Sequence, residues 1–316
     1  MKQLSFSIIV PVFNRTQEIE ELLESLSNQD FQKDFEVLII EDGSSIPCKD
    51  VIQKFQSKLH VQYHCKENSG PGESRNFGMH KAQGNYYIFL DSDVILPKNY
   101  LTEVTKQLEI NYTDAFGGSD SAHPSFSVVQ KAINYSMTSF LTTGGLRGHK
   151  NGVVKFQPRS FNMGISREAF QKTQGFSKMR VGEDIDLSFR LWEFGFETQY
   201  IENATVYHKR RSTLKQFFNQ TYAFGKTRPI LTKKYPTTAK LSYWFPSIFI
   251  LGLDLSILLA IFGYLTVFSC YYLYFLAVLI DASFKNGIRV GILSIITTVT
   301  QFLGYGLGFL SSKFNL

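Results

Sequence analysis

The last quarter of this chain is almost free of charge, and that limits what it can fold into more than any other feature. From Leu241 to Ile280 the single charged residue is Asp254. A helix needs roughly 20 apolar residues to cross a bilayer, so this run has room for two spans. Phe262-Gly263-Tyr264 supplies a turn between them. A third apolar run follows from Ile288 to Leu310. The pattern predicts a transmembrane module over 241–311, with three helices near 243–262, 265–281 and 288–310. A buried helical core, or helices that enter a membrane without crossing, would carry the same composition.

Residues 1–240 are ordinary by contrast, with 30 Lys and Arg against 25 Asp and Glu. That much hydrophobic and charged sequence together excludes a disordered chain. The net charge of +6 suits an anionic substrate or an anionic lipid surface and does not by itself point to nucleic acid. Cys48, Cys65 and Cys270 form no CxxC pair, so a reduced compartment is the simpler reading. Pro11 interrupts the apolar start of the chain, which therefore does not read as a signal peptide. Lys226, Arg228, Lys233 and Lys234 precede the first span, and Lys285 and Arg289 lie between the second and third. The positive-inside rule then places residues 1–240 and the 282–287 loop in the cytoplasm, and the tail outside, with Lys313 as a contrary charge. The expected location is the cell (inner) membrane, multi-pass.

The charged part alternates strand and helix patterns. Ser5–Val12, Phe35–Ile40 and Tyr86–Leu90 are near-continuous apolar runs, as in strands buried on both faces. Ile19, Leu22, Leu23 and Leu26 line one face of a helix over 14–27. Shorter patterns predict a helix over 51–58, a strand over 61–64 and a helix over 72–82. This order argues for a parallel sheet, whose ligands collect at the carboxyl ends of its strands.

Acidic turns stand at those ends. Asp91-Ser92-Asp93 follows the Tyr86–Leu90 strand, and two carboxylates there suit a hard divalent cation that also holds a diphosphate. Asp42 ends the neighbouring strand, where it could accept a hydrogen bond from a base or ribose. Gly70, Gly72 and Arg75 mark a tight turn and a helix start, whose free amides suit an anion. An ordinary helix cap reads the same way. Glu183 and Asp184 open another helical pattern, as a general base beside that site or as simple N-terminal capping.

Taken together, Ser-Ile-Ile-Val-Pro-Val-Phe-Asn-Arg (7–15), Glu-Asp-Gly-Ser-Ser (41–45), Gly-Pro-Gly-Glu-Ser-Arg-Asn (70–76), Asp-Ser-Asp (91–93) and Glu-Asp-Ile-Asp (183–186) resemble a family-2 glycosyltransferase. The likeness covers about 1–210. It implies an α/β GT-A fold, a Rossmann-like nucleotide-diphospho-sugar transferase domain over 1–235, followed by the helical membrane module. It implies a nucleotide-sugar donor, UDP-linked first, and inversion at the anomeric carbon. Pro11, Asn14, Asp42, Arg75 and Asp91 would bind the donor. Asp91, Asp93 and His208 would hold Mn²⁺ or Mg²⁺. Asp184 would be the catalytic base, with Glu183 beside it.

Three further segments have weaker expectations. Gly117-Gly118-Ser119-Asp120 and Gly144–Gly148 read as loops near the acceptor, and Asn162-Met163-Gly164 as the approach to a return strand at Ile165-Ser166-Arg167. Residues 209–235 mix aromatic and basic side chains, as an interfacial helix on anionic lipid would. Asp254 has no intramembrane cationic partner in the sequence. The partners expected are a nucleotide-sugar, a lipid-linked or saccharide acceptor and the membrane, with no nucleic acid. A processive polysaccharide synthase fits less well, because Gln-x-x-Arg-Trp is missing. A non-catalytic nucleotide-sugar-binding scaffold would have no need of the acidic motifs.

Overall fold

The computed structural model describes residues 3–144 and 155–315. It divides into two compact units, one formed by residues 1–121 and 150–208, the other by residues 122–149 and 209–316.

Among the described residues the first unit is built on one mixed sheet of eight strands. These are β1 (Phe6–Val12), β2 (Phe35–Asp42), β3 (His60–Lys66), β4 (Tyr86–Leu90), β5 (Val94–Ile95), β6 (Ala115–Ser121), β7 (Asn162–Ser166) and β8 (Thr198–His208), in the spatial order 3-2-1-4-7-6-8-5. Strands β1 to β4 run parallel, as their continuous apolar sequences require. The return strand β7 then pairs antiparallel with β4. Arg167, expected at its end, instead opens a helix.

Helices α1 (Thr16–Ser27), α2 (Lys49–Gln53) and α4 (Tyr100–Ile110) cover one face of the sheet, and α3 (Pro71–Lys81), α7 (Arg167–Thr173) and α8 (Glu183–Glu193) cover the other. Ile19, Leu22, Leu23 and Leu26 are all buried, so the spacing of α1 was a reliable guide to its core face. Successive β1 residues alternate between the two cores, with Ile8 and Val10 under α1 and Ile9 under α3. Helix α2 is shorter than its pattern suggested, and residues 54–58 continue as turns.

Gly117-Gly118-Ser119-Asp120 is not a loop but part of β6, paired with β7 and β8. The glycines are there because neighbours press on the strand. A Cβ on Gly118 would overlap the Ala204 carbonyl oxygen, and one on Gly117 would come within 2.8 Å of the Phe156 ring. Of the 144–148 segment only Gly144 is described, as the left-handed cap of a short helix. Residues 145–148 lie outside the described residues.

The second unit is helical: α5 (Val128–Thr138), α6 (Phe140–Thr143), α9 (Leu214–Lys234), α10 (Phe245–Ile261), α11 (Thr266–Asn286) and α12 (Ile288–Phe314). Among the described residues three helical segments are long and apolar enough to cross a membrane, Leu241–Ile261, Thr266–Asn286 and Ile288–Phe314. They coincide with the three apolar runs. The basic, aromatic helix α9 belongs to this unit, and its most extensive neighbour is α12. Asp254 is exposed on α10.

Candidate active site

The parallel strands β1, β2 and β4 end on the same edge of the sheet, and the acidic turns meet there. Asp42 closes β2. Its Oδ1 accepts from the Ser69 amide at 3.0 Å and from Lys66 Nζ, and its Oδ2 accepts from the Gly70 amide at 2.9 Å. Gly70 sits at φ 94°, a conformation that side chains with a Cβ rarely adopt, and this lets both amides turn toward one carboxylate. Burial pushes the Asp42 pKa up, but Lys66 and the loop donors outweigh it and hold Asp42 below the usual carboxylate range.

Asn14 follows β1 in a left-handed turn, at φ 52°. Its side-chain oxygen accepts from the Ser45 amide at 2.9 Å, and its own amide donates to Ser44 Oγ at 2.7 Å. Asn14 therefore ties the loop after β1 to the loop after β2. Pro11 lies within β1, in register with Ile40 of β2.

The Asp91-Ser92-Asp93 turn follows β4 and leads into β5. That two-residue strand pairs with the last residues of β8 in the register Val94↔His208. The register brings His208 beside the turn, with Nε2 3.3 Å from Asp93 Oδ1. The imidazole lies against Phe161, 4.6 Å between ring centres. Asp91, Asp93 and His208 each offer an atom within 4.8 Å of the other two. Two carboxylate oxygens and one imidazole nitrogen, each partly open to solvent, form a donor set that fits Mn²⁺ or Mg²⁺ with room for further oxygen ligands.

Arg75 is turned inward from α3. Nη2 donates to Asp91 Oδ1 at 2.6 Å, and Nη1 to Glu183 Oε1 at 3.1 Å. The guanidinium also lies 5.3 Å from the centre of the Phe176 ring. The residue thus bridges the two acidic motifs, which are 92 positions apart between Asp91 and Glu183.

Glu183 and Asp184 stand in the first turn of α8. Ser160 Oγ donates to Glu183 at 3.3 Å, and the Ser160 amide to Asp184 Oδ2 at 3.4 Å. Arg159 Nη1 lies 4.0 Å from the same Asp184 oxygen. Burial, with the Asp184 charge next to it, pushes Glu183 up to about 7, although Arg75 opposes the shift. The last acid of the motif, Asp186, is fully buried and holds Arg190, which in turn donates to the carbonyls of Thr173 and Gly175. Its work is to fix α8 in place.

Arg159, Ser160 and Phe161 were not singled out from sequence. They precede the return strand, but no local pattern marks them. Glu41, within Glu41-Asp42-Gly43, is a further residue of this kind. It is buried and accepts from Ser44, Cys48 and Tyr63, so it braces the loop after β2 from below. An acid in a strand end that is otherwise apolar was the available signal.

Residues 7–173 match the family model described as Glycosyl transferase family 2. Poly(ribitol-phosphate) beta-N-acetylglucosaminyltransferase TarS of Staphylococcus aureus is 34% identical over 114 residues, 35% of this chain and 20% of that protein. The GalNAc(5)-diNAcBac-PP-undecaprenol beta-1,3-glucosyltransferase of Campylobacter jejuni is 35% identical over 114 residues, 35% of this chain and 37% of its own. The chain thus spans well under half the length of either relative. Among solved structures, the mannosyltransferase PcManGT from Pyrobaculum calidifontis in complex with GDP-Man and Mn²⁺ has a TM-score of 0.62 at 16% identity, covering 100% of this chain and 88% of that one. S. aureus TarS 1–349 in complex with UDP-GlcNAc has a TM-score of 0.52 at 16% identity, covering 99% and 92%. At such identities the likeness is one of fold.

Proposed function

The chain belongs to glycosyl transferase family 2, and on that premise we propose that it moves a sugar from a nucleoside-diphosphate donor, UDP-linked first, to a lipid-linked or envelope saccharide acceptor, with inversion at the anomeric carbon. The observation that carries this reading is the placing of two acidic groups on either side of one buried arginine. Asp91 and Asp93, with His208, stand on one side of Arg75, and Glu183 and Asp184 on the other. Transfer with inversion needs that division, charge relief for a departing diphosphate and a proton acceptor for the incoming hydroxyl.

In this reading Asp184 takes the proton of the acceptor hydroxyl as that oxygen attacks the anomeric carbon. Ser160 and Arg159 hold its carboxylate in position. Asp91, Asp93 and His208 would hold a divalent cation, which would supply positive charge to the departing diphosphate. Arg75 keeps Asp91 and Glu183 in fixed relation. Asn14 and Asp42 set the loops that receive the nucleotide, and Pro11, near the end of β1, serves the same donor.

The names of the relatives support the donor and acceptor classes, since they include N-acetylglucosaminyl and glucosyl transfer to poly(ribitol-phosphate) and to an undecaprenol-linked glycan. The apolar helices support a membrane location, and the basic residues ahead of them support a multi-pass chain of the cell (inner) membrane with its site in the cytoplasm. The deciding experiment uses detergent-solubilised full-length protein, a panel of nucleotide-sugars and added Mn²⁺ or Mg²⁺. The reading expects release of nucleoside diphosphate from at least one donor, abolished by Asp184→Asn when an acceptor is required. Silence with every donor and both metals would favour the scaffold alternative.

A further inference from the structure

The three apolar helices of the second unit are not equivalent. In α10 and α11 only 11% of the apolar window is buried, against 44% in α12. The large side chains of α10 and α11 stand bare on several sides, among them Leu251, Leu255, Leu258, Ile261, Phe268 and Leu273. On α12 the exposed apolar side chains are Ile288, Ile292, Ile296, Leu307 and Phe314, a single stripe at helical spacing.

The other side of α12 is made of small and hydroxylated residues; α5 and α9 cover much of it, with α11 against Gly291 and α10 against Gly306. From α5, Ser136 Oγ lies 2.6 Å from Thr297 Oγ1, which donates to the Ala132 carbonyl at 3.1 Å. From α9 the approach is backbone to backbone. A Cβ on Gly304 would come within 2.9 Å of the Phe218 carbonyl oxygen. One on Gly308 would overlap the Tyr222 carbonyl oxygen and lie 3.0 Å from the Lys226 amide, and one on Gly225 would overlap the Tyr305 carbonyl oxygen. The partners advance together, Phe218 with Gly304 and Tyr222 with Gly308, so α9 and α12 run alongside in the same direction.

Helix α9 cannot accompany a membrane span. Its outer face exposes Lys215, Gln216 and Asn219 in the first half and Lys226, Lys233 and Lys234 in the second, with Ile230 among them. Lysine at mid-membrane is costly, and Gln216 and Asn219 are too short to reach a headgroup from there. Whatever plane α9 occupies, α12 shares it.

The base of the α10–α11 hairpin fixes the rest. Helix α10 meets α12 near its start, where Ser247 Oγ donates to the Gly306 carbonyl at 3.2 Å and the Phe249 ring lies 4.8 Å from that of Phe302. Phe249 also meets Tyr271, Tyr274 and Phe275 of α11. Beyond this aromatic knot the exposed residues of α10 and of the first half of α11 continue as a hairpin.

We propose that only the α10–α11 hairpin enters the bilayer, and that α12 lies along the membrane surface with α9 instead of crossing. The apolar stripe of α12 faces acyl chains, and the lysines of α9 lie at the level of lipid phosphates. The end of the chain then stays on the same side as the Asn286–Gly287 connection, where the three-span expectation puts it on the opposite side.

The test uses the full chain with Cys65→Ser and Cys270→Ser, keeping the buried Cys48, and single cysteines at two exposed positions, Asn286→Cys and Asn315→Cys. Each is treated with a membrane-impermeant maleimide in intact cells and again in detergent. Both cysteines should be silent in intact cells and both should react in detergent. Reaction of one and not the other in intact cells overturns the proposal, because α12 would then cross. Reaction of both in intact cells would uphold the surface position of α12 while overturning the cytoplasmic placement of the active site, so the two readings fail separately.

Discussion

Arg75 Nη2 lies 2.6 Å from Asp91 Oδ1, and only 2% of the Arg75 side chain is exposed. A guanidinium that dry is tolerable because Glu183 takes its other arm. The consequence is mechanical. The turn after β4 and the first turn of α8 are joined through one side chain, so the residues proposed to face the diphosphate and the acceptor keep a fixed separation.

Arg75→Lys should therefore impair transfer without removing charge. One ammonium cannot reproduce the two-armed contact, and a displacement of about 1 Å between reacting groups costs roughly 100-fold. Arg75→Met should be worse for folding, by about 3–5 kcal/mol, because the buried Glu183 and the partly exposed Asp91 lose their common partner. Initial rates and thermal unfolding of the solubilised protein separate the two effects.

Asp184→Asn should leave donor binding nearly intact and lower transfer by about 10²–10⁴-fold, as expected for loss of a general base. Near wild-type transfer by this variant would move the role to Glu183.

Asp93→Ala should weaken binding of nucleoside diphosphate in the presence of Mn²⁺, and have a small effect in its absence. Calorimetric titration with and without the metal measures this directly. Full activity of the unmodified protein in excess EDTA would reassign Asp91 and Asp93 to direct contacts with the donor.

Glu183 gives a pH signature. Its carboxyl is raised from 4.5 to about 7 in the folded protein, mainly by burial. The folded state thus binds the proton more tightly than the unfolded chain. Stability from this group is full below pH 4.5 and is lost as the pH rises to about 7, by an amount on the order of a few kcal/mol. Glu183→Gln cannot titrate, so the difference in melting temperature between variant and parent should change across that window and be flat above it.

A chain ended at residue 240 should retain every acidic motif and still behave poorly in solution. Helices α5 and α9 would lose the cover of α12, leaving Ser136, Thr221 and the faces beside them uncovered. Aggregation on size-exclusion chromatography is the expected result, and a monodisperse fragment would show that this packing is dispensable.

Much of the catalytic fold was legible in the chain itself, because the features concerned are local. A strand buried on both faces is written as an apolar run, as in Ile8–Val10, and a half-buried helix as the spacing of Ile19, Leu22, Leu23 and Leu26. Gly117 and Gly118 misled because glycine marks a loop and a crowded strand equally well. Only the neighbours, Ala204 and Phe156, distinguish the two.

By itself the sequence determined the division into a charged part and an apolar last quarter, the parallel strands and the acidic turns at their ends. Each depends on the chemistry of residues close together in the chain. Tertiary structure alone decided which distant residues would meet. His208 stands beside Asp93 through the register of a two-residue strand, and Arg75 turns away from solvent because two carboxylates wait inside. Helix α12 is as apolar as a span, and what sets it apart is the lysine-bearing helix packed on its glycines. Hydropathy counts the residues of one helix, whereas the cost of entering a membrane is set by everything that must go in with it.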